Sequence, residues 1–381
     1  MIVKKPNIIM KVLIFSILIC LILISFGFSG YSQTSESEKK IKIGLSHVSE
    51  SNPFIRDAYA LVRAAAKALG DVEVIFLDDE FNPDKQITNI ENFVASGVDA
   101  CAVCNTSEAV IPKLMQITEE NEIGFGLFFR QINNQDIKQA AENSPYFIGY
   151  THEDEFNNGY QLGKSIAEKG GKKAVIISWM RGDPVAEERY RGYKKAFDEE
   201  GIEILGEQWE CTTGDKSAAA VQNFLSAYPE LDTVVMVGGA GEPQLGAINA
   251  LSNAGRSEDT IFATTDFVPN QYEMLESGEV DCISGGHHVD PFFTFMLLYN
   301  WASGNPLTAS VELADIKVNY IFITSLEMQK EYDTWIAGDE LPYNDEEIRS
   351  MAVKYNPDMD YQTLLDWAYN YSIEDVMNRH K

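Results

Sequence analysis

From residue 41 onward, short apolar runs alternate with amphipathic stretches of a dozen residues or more, and this rhythm restricts the chain to one class of fold. Strand patterns fall at 41–45, 72–77, 100–104 and 124–129, separated by helix patterns at 53–69, 84–96 and 109–120. Each connection is too long for a hairpin and long enough for a crossover helix, so successive strands run parallel. Within 84–96, Ile87, Ile90, Phe93 and Val94 recur at helical spacing before Gly97. The result is an α/β chain, a parallel sheet with helices on its faces.

The rhythm then restarts. Helix patterns at 154–169, 184–200, 215–227 and 241–254 interleave with strand patterns at 173–179, 203–209, 233–237 and 261–265. A shorter unit at 271–275 and 280–285 precedes a helix at 291–302. Two successive sets predict two lobes with a ligand cleft between them. Beyond residue 324 the βα rhythm stops, and an acidic segment rich in Tyr and Trp carries helix patterns at 344–355 and 361–369.

The N-terminus sets the compartment. Lys4, Lys5 and Lys11 precede an almost unbroken apolar run over 12–28, and a polar stretch follows. That order is a secretory signal, with cleavage expected after Ser32. The run is also long enough to serve as an uncleaved membrane anchor. Cys20 follows Ile19 rather than a small residue, which argues against a lipoprotein anchor. The chain carries 58 acidic against 30 basic residues, a net charge of -28. Losing residues 1–32 removes three lysines and no acid, leaving about -31. Such a surface repels nucleic acid and anionic lipid.

Cys101 and Cys104 form a CxxC inside a strand pattern, where an odd spacing turns the two side chains to opposite faces. No second CxxC or neighbouring His completes a metal site, so both are expected as buried core residues. No cofactor or metal is implied. Gly238, Gly239 and Gly241 lie between a strand and a helix but lack the Gly-Lys-Ser/Thr of a phosphate loop, so a tight turn is expected there. Neither GxSxG nor HExxH occurs, and the chain is not expected to be an enzyme.

Binding chemistry concentrates at strand ends. The loop after the first strand carries Ser46, His47, Ser49, Ser51 and Asn52, and Pro53 then opens a helix that shows Phe54 in its first turn. Small polar groups beside an aromatic ring at the carboxyl end of a strand suit a ligand with a flat apolar side and a polar rim, as a sugar has. Arg130 ends one strand pattern and Asp266 another, while Arg191 lies in the helix following a third. A guanidinium fork and a carboxylate together grip vicinal hydroxyls. Trp179, at a strand end, offers a second stacking face. His287 and His288 are neighbours whose side chains diverge, which favours donation to a ligand hydroxyl over metal binding.

With these residues in order, the chain resembles the type I periplasmic substrate-binding proteins of the ribose and galactose class. The resemblance runs from about Ile41 to Thr324 and rests on Asn52-Pro53-Phe54, the block at 82–100, the helix at 189–197 and the strand ending Thr265-Asp266. It implies two Rossmann-like lobes joined by a three-segment hinge, with crossings near 150–151, 286–290 and 315–318. The expected division is a signal peptide at 1–32, a linker at 33–40, a first lobe of 41–150 plus 287–316, a second lobe of 151–286 plus about 317–324, and a C-terminal extension at 325–381 packed on a lobe. It carries the family's site onto Asn52, Phe54, Arg130, Arg191, Asp266 and the segment around His287 and His288. Three positions depart from the sugar-binding pattern: Ile55 replaces a second aromatic, Phe129 an aspartate, and Ala240-Gly241 an Asn-Asp pair. A matched ligand is therefore expected to present fewer hydroxyls in those directions or to have a different shape. The implied function is an exported, monomeric protein that captures a sugar-like small molecule for the permease of an ABC transporter, in the periplasm or outside the cell. The alternative is a sensing module that delivers its ligand to a membrane histidine kinase or chemoreceptor.

Overall fold

Asn52 and Pro53 start a helix and Gly70 ends it, and the computed structural model places α1 between them, at Pro53–Leu69. The Asn52 side chain accepts from the Phe54 N–H, and Gly70 adopts the left-handed conformation that releases the chain into the next strand. The structure describes residues 40–381 apart from 48–49, 51, 81, 239–240, 311–312 and 338–340. The expected signal segment, Cys20, Ser49, Ser51, Gly239 and Ala240 lie outside the described residues.

Among the described residues two six-stranded sheets form. In the first, β1 (Ile41–His47), β2 (Val72–Asp78), β3 (Ala100–Val103), β4 (Gly124–Leu127), β5 (Phe147–Glu153) and β11 (Ala314–Val318) lie in the order β11-β5-β4-β3-β1-β2, all parallel. In the second, β6 (Lys173–Ile177), β7 (Glu203–Gln208), β8 (Thr233–Met236), β9 (Ile261–Thr265), β10 (Cys282–Gly285) and β12 (Ile321–Ile323) follow the order β12-β10-β9-β8-β6-β7. Only β12 runs antiparallel there, against β10. Helices α2 (Pro83–Ser96), α3 (Ile111–Glu120) and α4 (Gln135–Asn143) cross the first sheet, and α5 (Glu155–Glu168), α6 (Pro184–Glu200), α7 (Gly214–Ala227), α8 (Glu242–Asn253) and α9 (Gln271–Ser277) the second. Helix α10 (Asp290–Ala302) returns to the first sheet, apolar on nearly every face and buried from Asp290 to Asn300. Each buried Phe, Leu or Met there contributes about 1.5–3 kcal/mol.

The crossings between lobes differ from expectation at two of three places. β5 continues through Thr151, His152 and Glu153, all buried and paired with β11, so the first crossing is at Asp154. β11 occupies 314–318, with Ala314, Ile316 and Val318 turned inward, and the third crossing follows at Asn319-Tyr320. The second crossing lies at 286–289, where a 3₁₀ turn (His287–Val289) leads into α10.

The C-terminal extension touches both lobes rather than one. Helix α11 (Leu326–Trp335) packs on the second lobe, where Gln271 Nε2 donates to Gln329 Oε1 at 2.5 Å and the rings of Phe267 and Tyr332 meet edge to face at 4.7 Å. Helix α12 (Asp345–Ser350) and the turn after it sit on the first, where Arg349 Nε donates to Ala68 O at 2.9 Å and Asn300 Nδ2 to Met351 O at 3.0 Å. Helix α13 (Tyr361–Asn370) covers β11 through Tyr361 and Asp315. The Tyr371 hydroxyl, fully buried, donates to Gly286 O in the second crossing at 2.9 Å. Helix α14 (Ile373–His380) closes the extension through Arg379, which bonds Glu347 and Asp375.

Cys101 and Cys104 are buried in different core clusters, as opposite faces of one strand require. Burial pushes the Cys104 thiol up to about 12, so it stays protonated and unreactive.

Candidate functional site

A cavity of about 390 Å³ opens between the carboxyl ends of the two sheets. His47, Asn52, Phe54, Ile55, Phe129, Arg130 and Glu153 line it from the first lobe. Trp179, Arg189 and Asp266 face them from the second, with His287 of the hinge between.

Alternation along β1 decides which of its terminal residues reaches the cavity. His47 faces it, packed against the rings of Phe128 and Phe129 at 5.7 and 5.8 Å. Burial first, and then the Arg130 charge, lower its pKa to about 3, so the imidazole is neutral. Ser46 points the other way. It is fully buried within the first lobe, donating to Asp79 Oδ2 at 3.2 Å and accepting from Asn89 Nδ2 at 3.0 Å, so it does not line the cavity. Asn52 does line it, but its Oδ1 caps α1 by accepting from Phe54 N at 3.0 Å. The amide Nδ2 is therefore the group it can offer a ligand. Phe54 forms an aromatic wall with Phe129 at 5.3 Å and His287 at 4.6 Å.

Two strand ends hold strained backbone. Phe129 after β4 has φ 56° and Asp266 after β9 has φ 73°, left-handed values for residues other than glycine. Such conformations cost about 1–3 kcal/mol each and cluster at functional sites. Each is held by its surroundings. Phe129 N donates to Asp290 Oδ1 at 2.9 Å, and Gln244 Nε2 donates to the carbonyls of Thr265 and Asp266 at 2.6 and 2.8 Å.

The second-lobe arginine at the cavity is Arg189, not Arg191. Residues Ala186, Arg189, Gly192, Tyr193, Ala196 and Phe197 form the buried face of α6. That face is pressed onto α5: a Cβ on Gly192 would lie 2.1 Å from Phe156 O. Arg191 is two residues, or about 200°, round the helix from Arg189. It is exposed and pairs with Glu188 on the same surface at 2.5 Å. Arg189 is fixed from several directions. Its Nε donates to Glu155 Oε2 at 2.6 Å, and one terminal nitrogen donates to the Tyr320 hydroxyl at 2.8 Å. Trp179 lies over its guanidinium at 5.6 Å. Both side chains rest on Gly238, where a Cβ would meet Arg189 at 2.5 Å and Trp179 at 2.7 Å. The helical spacing 186-189-192/193-196/197 was the sequence signal that identifies Arg189.

Beneath the cavity the carboxyls of Glu153 and Asp290 are buried close together, and Glu153 Oε1 and Asp290 Oδ2 have no hydrogen-bond partner among the described residues. Asp290 Oδ1 accepts from Thr151 Oγ1 at 2.5 Å. Burial and then the Asp290 charge push Glu153 well above the ordinary carboxylate value, and burial raises Asp290 to about 7. The pair therefore keeps at least one proton at neutral pH. His287 packs against Tyr320 at 4.6 Å, and its Nε2 faces Asp266 Oδ1 at 3.7 Å. Burial, followed by the charges of Arg189, His288 and Arg130, holds its pKa well below 6.5. His288 does not line this cavity but an adjoining one, and burial lowers it to about 4.

Taken together, the cavity offers aromatic faces on both lobes, two guanidiniums, a carboxylate at Asp266 and neutral imidazoles. Arg130 donates from one terminal nitrogen to its neighbour Phe129 O at 2.7 Å. Such a set binds a compact polar molecule by hydrogen bonds and stacking. Among the described residues, no group of three or more His, Cys, Asp or Glu side chains could hold a metal ion.

Residues 43–289 match the periplasmic binding protein domain. Among curated proteins, the chain is 23% identical to the ribose import binding protein of Salmonella typhimurium over 232 residues, which covers 60% of this chain and 74% of that protein. It is 26% identical to the D-ribose/D-allose-binding protein of Pseudomonas aeruginosa over 255 residues, covering 65% and 77%. Among solved structures, a periplasmic solute binding protein of an ABC transporter from Actinobacillus succinogenes, with bound D-allose, superposes with a TM-score of 0.67 at 22% identity. That alignment takes in 77% of this chain and all of the other. The match over residues 43–289, with two mainly parallel sheets facing each other across a cleft, shows that the chain belongs to the periplasmic binding protein family.

Proposed function

We propose that this protein captures a sugar or a related small polar ligand between its lobes and presents it to the permease of an ABC transporter. One observation carries the reading: a cavity at the junction of the lobes sets the rings of Phe54 and Trp179 against Asn52, Arg130, Arg189 and Asp266. A pyranose or furanose has an apolar face for such rings and a rim of hydroxyls for such donors and acceptors. The names of the ribose and allose binders it is similar to support the same class.

Arg189 is the best prepared anchor. Glu155 and Tyr320 hold its guanidinium in place before a ligand arrives, so little entropy is lost when it donates. Asp266 supplies the matching acceptor. Phe129 and Ile55 make part of the first-lobe wall apolar, so the ligand turns a face with few hydroxyls toward them. Hinge crossings at Asp154, 286–289 and Asn319-Tyr320 would let the lobes close on the ligand. The lobes then comprise 41–153 with 290–318 and 155–285 with 321–324. The role is binding rather than catalysis. A secretory signal at 1–32 would deliver the protein, as a monomer, to the periplasm or the cell exterior.

A thermal-shift screen over aldopentoses, aldohexoses, polyols and nucleosides tests this. A ligand at about 100 times its dissociation constant stabilises the native state by about 2.7 kcal/mol and raises the midpoint. A shift with one or more sugars, confirmed by calorimetry, is expected; an unchanged midpoint with every sugar and polyol would refute the sugar class.

A further inference from the structure

A second, larger cavity of about 760 Å³ adjoins the first and shares Asn52, Phe54, Asp266 and His287 with it. Its far wall brings in groups that the inner cavity lacks: Phe267, His288, and Tyr332 from the C-terminal extension. Three carboxylates line it, Asp57 from α1, Glu242 at the start of α8, and Asp266. Among the described residues no Lys or Arg side chain lines it. The two cavities thus differ in charge. The inner one balances its acids with Arg130 and Arg189, while the outer one has acids and no Lys or Arg among the described residues to balance them.

Resting on the sugar reading above, we propose that the ligand carries a cationic amine, its polyhydroxylated ring in the inner cavity and its ammonium group in the outer one. Carboxylates beside aromatic rings, here Phe54, Phe267 and Tyr332, are a combination that holds an ammonium ion, by charge-assisted hydrogen bonds and by attraction to the rings. The partition between the cavities supports the same sign. His287 is 5% exposed, and its Nδ1 has no partner among the described residues. The neutral ring thus keeps a buried nitrogen with a hydrogen bond still to make, at the boundary of the two cavities. His288 stays neutral as well, so neither imidazole repels a cation. The surplus of 58 acidic over 30 basic residues draws a cation toward the cleft.

Calorimetry of the full chain with matched pairs tests the proposal: glucose and glucosamine, galactose and galactosamine, mannose and mannosamine, in low salt at a pH that keeps the amines protonated. In at least one pair the amino sugar should bind about tenfold tighter than its neutral partner, as gain of one charge-assisted hydrogen bond predicts. A double variant, Asp57→Asn with Glu242→Gln, changes exposed side chains and should fold as the wild type does. It should erase that preference and leave neutral-sugar affinity unchanged. Neutral sugars that bind as well as their amino partners in every pair would overturn the proposal and leave the sugar reading standing. A preference that survives the double variant would overturn the assignment to the outer cavity. Binding of no sugar of either kind would overturn the sugar reading and this proposal with it.

Discussion

Replacing Asp290 with Asn should change how stability depends on pH, by an amount the buried pair sets. Asp290 ordinarily ionises near 3.8 and is raised to about 7 in the folded chain, chiefly by burial. Between those values the folded state holds more protons than the unfolded state, so stability falls as pH rises through the window. It is fully present below about pH 4 and lost above about pH 7. At roughly 1.4 kcal/mol per pH unit, the loss approaches 4 kcal/mol by about pH 8. Asp290→Asn keeps an Oδ1 that can accept from Phe129 N and Thr151 Oγ1. It also replaces the unpartnered Oδ2 with an amide that does not ionise. The variant should therefore gain on the wild type as pH rises, by up to about 4 kcal/mol between roughly pH 4 and pH 8. Urea unfolding of both proteins at closely spaced pH values measures this difference, in which titrating groups other than Glu153 largely cancel. Parallel stability curves for the two proteins would show that burial does not raise Asp290 in the folded chain.

Three further outcomes follow from the site geometry. Arg189→Ala leaves Glu155 buried without its partner, so stability should fall by about 3–5 kcal/mol in urea unfolding; Arg191→Ala should move it by less than about 0.5 kcal/mol and leave ligand affinity unchanged. Gly238→Ala drives a methyl group into Arg189 and Trp179 and should cost about 1–3 kcal/mol by thermal or urea unfolding, with weaker binding by calorimetry. Tyr371→Phe leaves Gly286 O without its donor in the second crossing and should destabilise the chain by about 1–3 kcal/mol; an unchanged urea midpoint would show that the extension does not brace the hinge there.

Local chemistry made much of this fold legible. Asn52-Pro53 and Gly70 bound α1, and Asp183-Pro184 and Gly201 bound α6, because caps and breakers act on neighbouring residues alone. β5 was not legible. Its last three residues are Thr, His and Glu, and they are buried only because Asp290 and Asp315 come from distant parts of the chain to meet them. The same distance hid the buried pair of Glu153 and Asp290. Ser46 and His47 illustrate a different loss: both stand at a strand end, but one residue of register sends them to opposite faces. Arg189 was within reach, since it falls on the glycine-lined stripe of its helix and Arg191 does not. The course of the extension over both lobes depends on single tyrosines and arginines finding carbonyls far away in sequence, which no periodicity announces.

Trp179 provides the most direct test of a ligand seated between the lobes, because its ring lines the inner cavity beside Arg189. Tryptophan emission titrated with a sugar that raises the melting midpoint should change saturably in the wild type. In Trp179→Phe the change should be absent or much reduced, while calorimetry still records binding. An emission change of full size in Trp179→Phe, or none in the wild type at saturation, would place the ligand outside this cleft and contradict the account.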